Sequence, residues 1–335
     1  RQPLSLSMSQ SLASPISFPV VRGGEPAPQA FRGAVVAIGN FDGVHRGHRA
    51  VLDVAIRRGR ALGRKALALT FEPHTRSYFR PDAPLFRLSD ETAKLRLLAA
   101  SGLDGAIVLP FDARLAELPA EEFVRQILVE RFAVAGAVVG FDFHFGRARQ
   151  GSPDFLRDQG RRHGFEVEVA PPLEVRGQPV SSSAIRALLA EGRVAEAAAL
   201  LGHPWFVTAV VRHGDKRGRD LGFPTANLAL DPNCRLRHGI YAVRVGVGAA
   251  RYDGVASFGR RPMFDNGAPL LEVFLFDFSG DLYGKSLDVA FIAWIRPELR
   301  FAALEDLIAR MHDDTREARE ALARAGDAFP RLGTL

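Results

Sequence analysis

Between Gly33 and about Ala170, short apolar runs alternate with stretches whose apolar residues recur at helical spacing. Residues 34–38 (Ala-Val-Val-Ala-Ile) contain no polar position, which is the pattern of a strand covered on both faces. From about Gly47 the period lengthens, predicting a helix with Val51, Val54, Ala55 and Leu62 on its inner side. Further short strands are predicted at residues 66–71, 106–109 and 137–140. Between the last two, Pro119-Ala120-Glu121-Glu122 opens a helix, because proline suits a first turn and acids favour the positive end of the dipole. Strand–helix alternation predicts an α/β domain with a parallel, doubly wound, Rossmann-like sheet. In such sheets ligands sit beyond the carboxyl ends of the strands, where residues 39–48 fall.

Residues 181–202 read as helical with a break at Gly192, and after Pro204 the rhythm changes to period two. Residues 206–212, 239–247, 251–258, 270–278 and 286–294 alternate like antiparallel strands. Residues 301–325 close the chain as an amphipathic helix, with Leu304, Leu307, Ile308 and Met311 predicted to face inward. The second half is therefore a small antiparallel β-barrel with a C-terminal helix. The expected division is a disordered lead or extension over 1–30, an α/β domain over 31–190, a helical linker over 191–204 and the barrel domain over 205–335.

A chain of 335 residues is too long for one compact core and fits two domains. Its net charge of +6 invites a nucleic-acid reading, but its arginines are spread along the whole chain. The only lysines are Lys65, Lys94, Lys216 and Lys285. Dispersed arginine argues for a phosphate-bearing small substrate, with no nucleic-acid partner. The single Cys234 excludes an internal disulfide framework and a cysteine-based metal cage, so a cytoplasmic setting is expected. No apolar stretch approaches the roughly 18 residues that span a bilayer, so no membrane partner is expected.

Two segments carry the chemistry. In the first, Gly39 and Gly43 bracket a strand-to-helix turn where backbone can approach a ligand closely. His45 and His48 then project from the start of the helix, where free N–H groups already favour an anion. Considered alone, an H-x-x-H pair also fits an ordinary surface pair or half of a zinc site. The decamer Gly39-Asn40-Phe41-Asp42-Gly43-Val44-His45-Arg46-Gly47-His48 resembles the signature of the nucleotidylyltransferase superfamily. Residues 140–147 (Gly-Phe-Asp-Phe-His-Phe-Gly-Arg) resemble the flavin-side motif of bacterial FAD synthetases, and residues 181–186 (Ser-Ser-Ser-Ala-Ile-Arg) their second phosphate motif. Ser183 stands where that family commonly has threonine, and Thr75 stands where it has proline after Phe71-Glu72-Pro73-His74.

The second segment, residues 218–227 (Gly-Arg-Asp-Leu-Gly-Phe-Pro-Thr-Ala-Asn), resembles the signature of riboflavin kinases. Its glycines, Gly218 and Gly222, would permit phosphate approach, and Thr225 and Asn227 offer two neutral oxygens suited to Mg2+. Downstream, Glu272, Arg296 and Glu298 match further family positions. Phe274 replaces a histidine common there, and Met263 replaces a threonine. Residues 279–286 mimic a P-loop, but they lie between strands and lack the first glycine, so they read as a hairpin turn.

The resemblance covers nearly all of residues 32–319 and follows the motif order of the bacterial bifunctional riboflavin kinase/FAD synthetase family. It implies that the barrel phosphorylates riboflavin to FMN, and that the α/β domain adenylylates FMN to FAD with release of pyrophosphate, each from ATP with Mg2+. It further implies that Gly39, Asn40, Phe41, Gly43, His45 and His48 hold ATP, with Ser182, Ser183 and Arg186 on the leaving pyrophosphate. Asp142, Arg296 and Glu298 would contact flavin, and Glu272 would act as base on the riboflavin hydroxyl. The catalytic set is then His45, His48, Arg186 and Glu272. The alternative is a riboflavin kinase whose first domain has decayed or serves another acceptor. A monomer or weak homo-oligomer is expected.

Overall fold

The computed structural model describes residues 17–212, 223–260 and 267–335. Gly218, Gly222 and Met263 lie outside the described residues.

Strands β1 (Val20–Arg22), β2 (Val35–Ile38), β3 (Ala66–Glu72), β4 (Gly105–Pro110), β5 (Gly136–Gly140) and β6 (Glu166–Ala170) form one sheet in the order β1-β4-β3-β2-β5-β6. Every neighbouring pair is parallel. All four residues of β2 are buried, as their unbroken apolar run requires. The chain steps from β2 to β3 to β4 on one side and then returns to place β5 on the other. The strand order thus reverses between β2 and β5, and a crevice opens there at the carboxyl ends.

Helices α1 (Arg46–Leu62), α2 (Thr75–Phe79), α3 (Glu91–Ala99), α4 (Ala113–Ala116), α5 (Ala120–Phe123) and α6 (Pro153–His163) connect the strands, α5 running on as a π-helical segment over Val124–Arg131. A hairpin of β7 (Glu174–Val175) and β8 (Gln178–Pro179) leads into α7 (Ser182–Ala190) and α8 (Val194–Leu201).

Two expectations for this half are corrected. Residues 17–30 are not a loose lead: Val20–Arg22 pairs with Ala106–Val108, and Phe18 and Val21 are buried. The inner stripe of α1 is Val51, Leu52, Ala55 and Ile56, whereas Leu62 is 43% exposed. In the last turn it overhangs the starts of β2 and β5, where Gly136 and Ala137 leave an open cleft.

The second half is a barrel of β9 (Phe206–Val210), β10 (Ala226–Ala229), β11 (Gly239–Val247), β12 (Ala250–Arg260), β13 (Pro269–Leu275) and β14 (Ser286–Arg296). Its order is β10-β13-β12-β11-β14-β9, antiparallel throughout. A bridge between Arg212 and Asn227, with N–H···O at 2.9 Å, brings the two edges together. Alternation sends Leu271, Val273 and Leu275 of β13 to the interior and Glu272 and Phe274 outward. Residues 279–285 lie in the connection between β13 and β14, and Ser286 opens β14, so the P-loop mimic is a hairpin turn.

The C-terminal helix, Leu304–Arg324, lies against the outside of the barrel, but not on the predicted stripe. Its buried residues are Asp314, Ala318, Ala321 and Leu322, and Leu304 is 52% exposed. The first turns project past the strands. Contact is made further on, where two alanines allow close approach and Arg296 of β14 grips Asp314 at 2.7 and 2.8 Å.

Several links tie the halves together. Arg96 of α3 forms a bidentate ion pair with Asp288 of β14 (2.7 and 2.8 Å), and Thr208 donates to the same carboxylate at 2.7 Å. The Trp205 indole N–H donates to Leu88 O at 2.9 Å. The tail returns to the first domain, where Gly333 N donates to Arg96 O (2.9 Å) and Phe18 N to Thr334 O (3.3 Å).

Candidate active sites

The first site occupies the crevice between β2 and β5. The loop after β2 holds two non-glycine residues at positive φ, Phe41 (52°) and Val44 (43°), and Gly43 at 80°. Left-handed backbone at β-branched and aromatic residues concentrates strain there, as it does where a loop must hold one geometry. The Phe41 ring is buried beneath His48, edge-on at 5.4 Å, so only its backbone can face a ligand.

His45 caps α1, its Nδ1 accepting from His48 N at 3.2 Å, and the two imidazoles stack at 3.5 Å. Asn40 Nδ2 donates to Thr75 Oγ1 at 3.1 Å, so threonine at the family's proline position orients Asn40. Asn40 Oδ1 and His48 Nδ1 are buried without a protein partner. Buried polar atoms normally find partners, so these two mark where a ligand would supply them.

Ser182 and Arg186 converge on the same loop. Ser182 Oγ donates to Asp42 O at 3.2 Å, while Ser181 caps α7 and Ser183 is exposed at its first turn. Arg186 donates from Nε to Phe86 O (2.6 Å) and from Nη2 to the Asp42 carboxylate (2.5 Å), which leaves Nη1 for a ligand.

Asp42 is the residue the sequence reading passed over. It is 1% exposed, and its carboxylate accepts from Leu88 N (3.0 Å), Ser89 N (3.0 Å) and Arg186. Asp42→Ala would strand all three donors, and is expected to destabilise the fold by about 3 kcal/mol. Urea denaturation checks this; an unchanged midpoint would remove Asp42 as the organiser.

Lys94 is a second omission. It is 1% exposed and reaches up from α3 to Asn40 O (3.3 Å), Thr70 Oγ1 (3.1 Å) and Phe71 O (3.2 Å). Its charge meets Glu72 at 2.6 Å, and Arg87 completes a bidentate pair with that same carboxylate. Burial pushes Glu72 up, but Arg87 and Lys94 outweigh it and hold the group below the ordinary carboxylate range.

The crevice therefore gathers cationic or cation-capable groups around two carboxylates, Asp42 and Glu72. Burial pushes His45 down to about 4, with Arg186 and His203 adding to the effect against Asp42. His74 is likewise about 4, through burial first and then Arg186, Arg87 and Lys94, again against Asp42. His48 lies well below its ordinary value for the same reason, with His45 and Lys94 contributing. Without ligand these imidazoles are neutral at pH 7. Unfolded, each would titrate near 6.5, so between 6.5 and about 4 the unfolded chain takes up protons that the fold refuses. Stability is thus expected to fall as pH drops through that window, and a polyphosphate should narrow the loss. Thermal midpoints at pH 7 and pH 5, with and without ATP, test this; a flat profile would count against it.

At the mouth, Asp142 and Phe141 follow β5, both exposed, and His144 Nδ1 donates to Asp142 O at 2.9 Å. At the carboxyl ends of β3 and β4, Tyr78, Phe79 and Phe71 each pack edge-on to Phe111 at 5.5, 5.6 and 5.9 Å. Phe79 is 62% and Phe141 53% exposed, which leaves aromatic faces open to a planar ligand. Phe71 and Phe141 lay in segments singled out from sequence, whereas Tyr78, Phe79 and Phe111 did not.

The second site lies on the barrel's outer face. Asn227 of β10 is directly opposite Glu272 of β13, and Thr225 precedes β10 on the same side by alternation. Phe274 packs against Phe223 (5.2 Å) and Phe276 (5.8 Å), and His312 of the C-terminal helix meets Phe223 at 5.0 Å. Phenylalanine at the family's histidine position thus serves an aromatic wall. Arg296 has Nε and Nη2 on Asp314 and Nη1 on Pro297 O, which makes it an anchor of the helix. Glu298 lies over Gly259, where a Cβ would fall 2.3 Å from its carboxylate. Among the described residues no cluster of three or more His, Cys, Asp or Glu side chains could hold a metal ion. Burial pushes the Cys234 thiol up to about 11, in keeping with an inert role.

Comparison with known proteins assigns the two halves to classes of flavin-nucleotide transferase. Residues 27–184 match the FAD synthetase family model, and residues 201–322 match the riboflavin kinase model. The bifunctional riboflavin kinase/FMN adenylyltransferase of Escherichia coli K12 is 41% identical over 295 residues, 88% of this chain and 94% of that protein. That of Pseudomonas fluorescens is 41% identical over 305 residues, 91% and 98% of the two chains. The chain belongs to the bifunctional riboflavin kinase/FMN adenylyltransferase family. A crystal structure of a macrolide-efflux protein from Streptococcus pneumoniae superposes with a TM-score of 0.79 at 29% identity, covering 90% of this chain and 98% of that one. Among the described residues no helix is long and apolar enough to cross a membrane.

Proposed function

We propose that one chain performs two successive steps, with the barrel converting riboflavin and ATP to FMN and ADP, and the sheet domain converting FMN and ATP to FAD and pyrophosphate. The observation that carries this reading is the pair of separate sites: a crevice after β2 where Asn40 Oδ1 and His48 Nδ1 are buried without a protein partner, and a carboxylate facing an amide across β10 and β13.

In the kinase step, Glu272 takes the proton from the riboflavin hydroxyl as that oxygen bonds to the γ-phosphorus and the bond to the β-phosphate oxygen breaks. The Thr225 hydroxyl and Asn227 amide are hard, neutral oxygen donors beside that carboxylate, and they fit Mg2+. The ion would neutralise charge on the ATP phosphates.

In the second step, an oxygen of the FMN phosphate attacks the α-phosphorus and pyrophosphate leaves. No protein nucleophile is needed; positioning and charge stabilisation supply the rate. His45, His48 and Asn40 hold the phosphates at the N-terminus of α1, with Gly39 at the end of the strand and Gly43 seating the loop against Ser89 and Leu88. Ser182, Ser183 and the free edge of Arg186 receive the pyrophosphate, and the flavin ring lies near Asp142 against Phe79, Phe111 and Phe141.

The domain limits follow the division drawn from sequence, except that residues 17–30 join the sheet domain. The partners are small molecules and not nucleic acid. In support, many surface arginines are matched by their own helices, as in Arg125–Glu122, Arg157–Asp154, Arg161–Asp158 and Arg193–Glu196, and do not form a basic face. A cytoplasmic monomer or weak homo-oligomer completes the reading.

Incubation with riboflavin and Mg-ATP, followed by chromatography of the flavins, tests it. FMN should appear first and give way to FAD. FMN alone would remove the adenylyltransferase assignment, and no phosphorylated flavin would remove both.

A further inference from the structure

We infer that His203 and Trp205, at the junction leading into the barrel, are positioning residues for adenylyl transfer in the first domain. Gly43 is the pivot. Its φ of +80° belongs to glycine, and a Cβ there would lie 2.9 Å from Leu88 Cβ and 3.2 Å from Leu201 Cδ2. The phosphate loop is therefore pressed between the 86–89 segment and the end of α8.

Its two backbone polar groups are claimed from opposite sides. Gly43 N donates to Ser89 Oγ at 2.9 Å, and Gly43 O accepts from His203 Nε2 at 3.1 Å. The other ring nitrogen of His203 lies 2.9 Å from Pro204 O; burial pushes the imidazole below its ordinary value, so the neutral ring donates to one carbonyl at a time, here assigned to Gly43 O. His203 thus braces the loop two residues before the cap formed by His45.

Trp205 does the same one layer further back. Its indole N–H caps Leu88 O at 2.9 Å, while Leu88 N donates to Asp42, and Asp42 receives Arg186. Its ring is 2% exposed and packed between Phe86 (5.7 Å) and Phe291 of β14 (5.1 Å). A tilt of the barrel against the sheet would pass through this ring to Leu88 and then to the carboxylate that holds Arg186.

Neither side chain touches a reacting atom; both act through backbone carbonyls of the phosphate-binding wall. A displacement of about 1 Å in such a wall can cost roughly 10²-fold in rate. The first site is thus complete only when the junction to the second domain is in place.

The inference rests on the adenylyl-transfer reading above. The test uses the full chain, measuring KM for ATP and kcat for FMN to FAD, and riboflavin phosphorylation in the same preparations. His203→Leu keeps the bulk and removes both nitrogens. It is expected to raise KM for ATP by about 10-fold or more, with riboflavin phosphorylation held within about twofold. His203→Gln, which retains an N–H, is expected to recover most of the loss.

Trp205→Phe keeps a ring against Phe86 and Phe291 and deletes the bond to Leu88; it should show the same split, and it decides the matter if His203→Leu fails to fold. Unchanged FAD kinetics in His203→Leu and Trp205→Phe would overturn the inference, as would a parallel fall of both activities that glutamine does not relieve. If the unaltered chain makes no FAD from FMN, the adenylyl-transfer reading itself falls, and the inference with it.

Discussion

Glu272→Gln is expected to lower FMN formation by about 10²- to 10⁴-fold, the usual contribution of a positioned general base. The substitution preserves shape and hydrogen-bonding capacity and removes only the ability to take a proton. Glu272 projects from the outer face of β13 directly opposite Asn227, so the base and one of the two metal-suited oxygens share a single register position across two strands. The other, Thr225, lies two residues before Asn227. Conversion of supplied FMN to FAD by the same variant should be unchanged, since the crevice after β2 contains none of these residues. Initial rates for riboflavin and for FMN, measured separately, check both halves. Normal riboflavin phosphorylation by the variant would transfer the role of base elsewhere.

His48→Ala should produce the mirror image, with FAD formation reduced about 10²-fold or more, the cost of one preorganised donor, and FMN formation spared. Part of that effect comes from the empty-site electrostatics. His48 is held neutral by burial and by its cationic neighbours, with a buried Nδ1 that has no protein partner. An incoming polyphosphate reverses the field and meets a ring that can take up charge as the α-phosphorus reacts. Alanine also removes the stack against His45 at 3.5 Å, so His45 loses orientation as well. Pyrophosphate release with FMN as acceptor is the measurement, and equal loss of both activities would count against separate sites.

The architecture was legible where one physical rule dominated locally. The apolar runs of β2 to β5 are buried on both faces, and the alternation of β12 and β13 separates interior from exterior, so each pattern stated its own element; β11 and the middle of β14 are buried almost throughout. β1 was not legible, because three residues carry no periodicity and owe their conformation to pairing with β4. β6 is an edge strand whose Glu-Val-Glu-Val alternation fits a half-buried strand, and it is passed over when unbroken apolar runs are sought in this half.

The candidate sites divided similarly. Gly39 to His48 is contiguous, so its chemistry could be read directly, whereas Asp42 was visible but silent: its partners Leu88 and Arg186 lie 46 and 144 residues away. Lys94 resembles any solvated helix residue until the fold surrounds it. Arg296, expected to contact flavin, also anchors the C-terminal helix, a role hidden in the sequence because its partner Asp314 lies 18 residues away.

The returning tail has a consequence for synthesis on the ribosome. Gly333 occupies a position where even a methyl group would fall 2.5 Å from Ala99 Cβ, and its amide caps Arg96, while Thr334 receives the amide of Phe18. These contacts join the last residues of the chain to its first strand region and to the end of α3. A nascent sheet domain can form its hydrogen-bonded ladders early, but this flank stays open until translation has passed residue 333. The domain that emerges first is therefore the one whose surface is finished last.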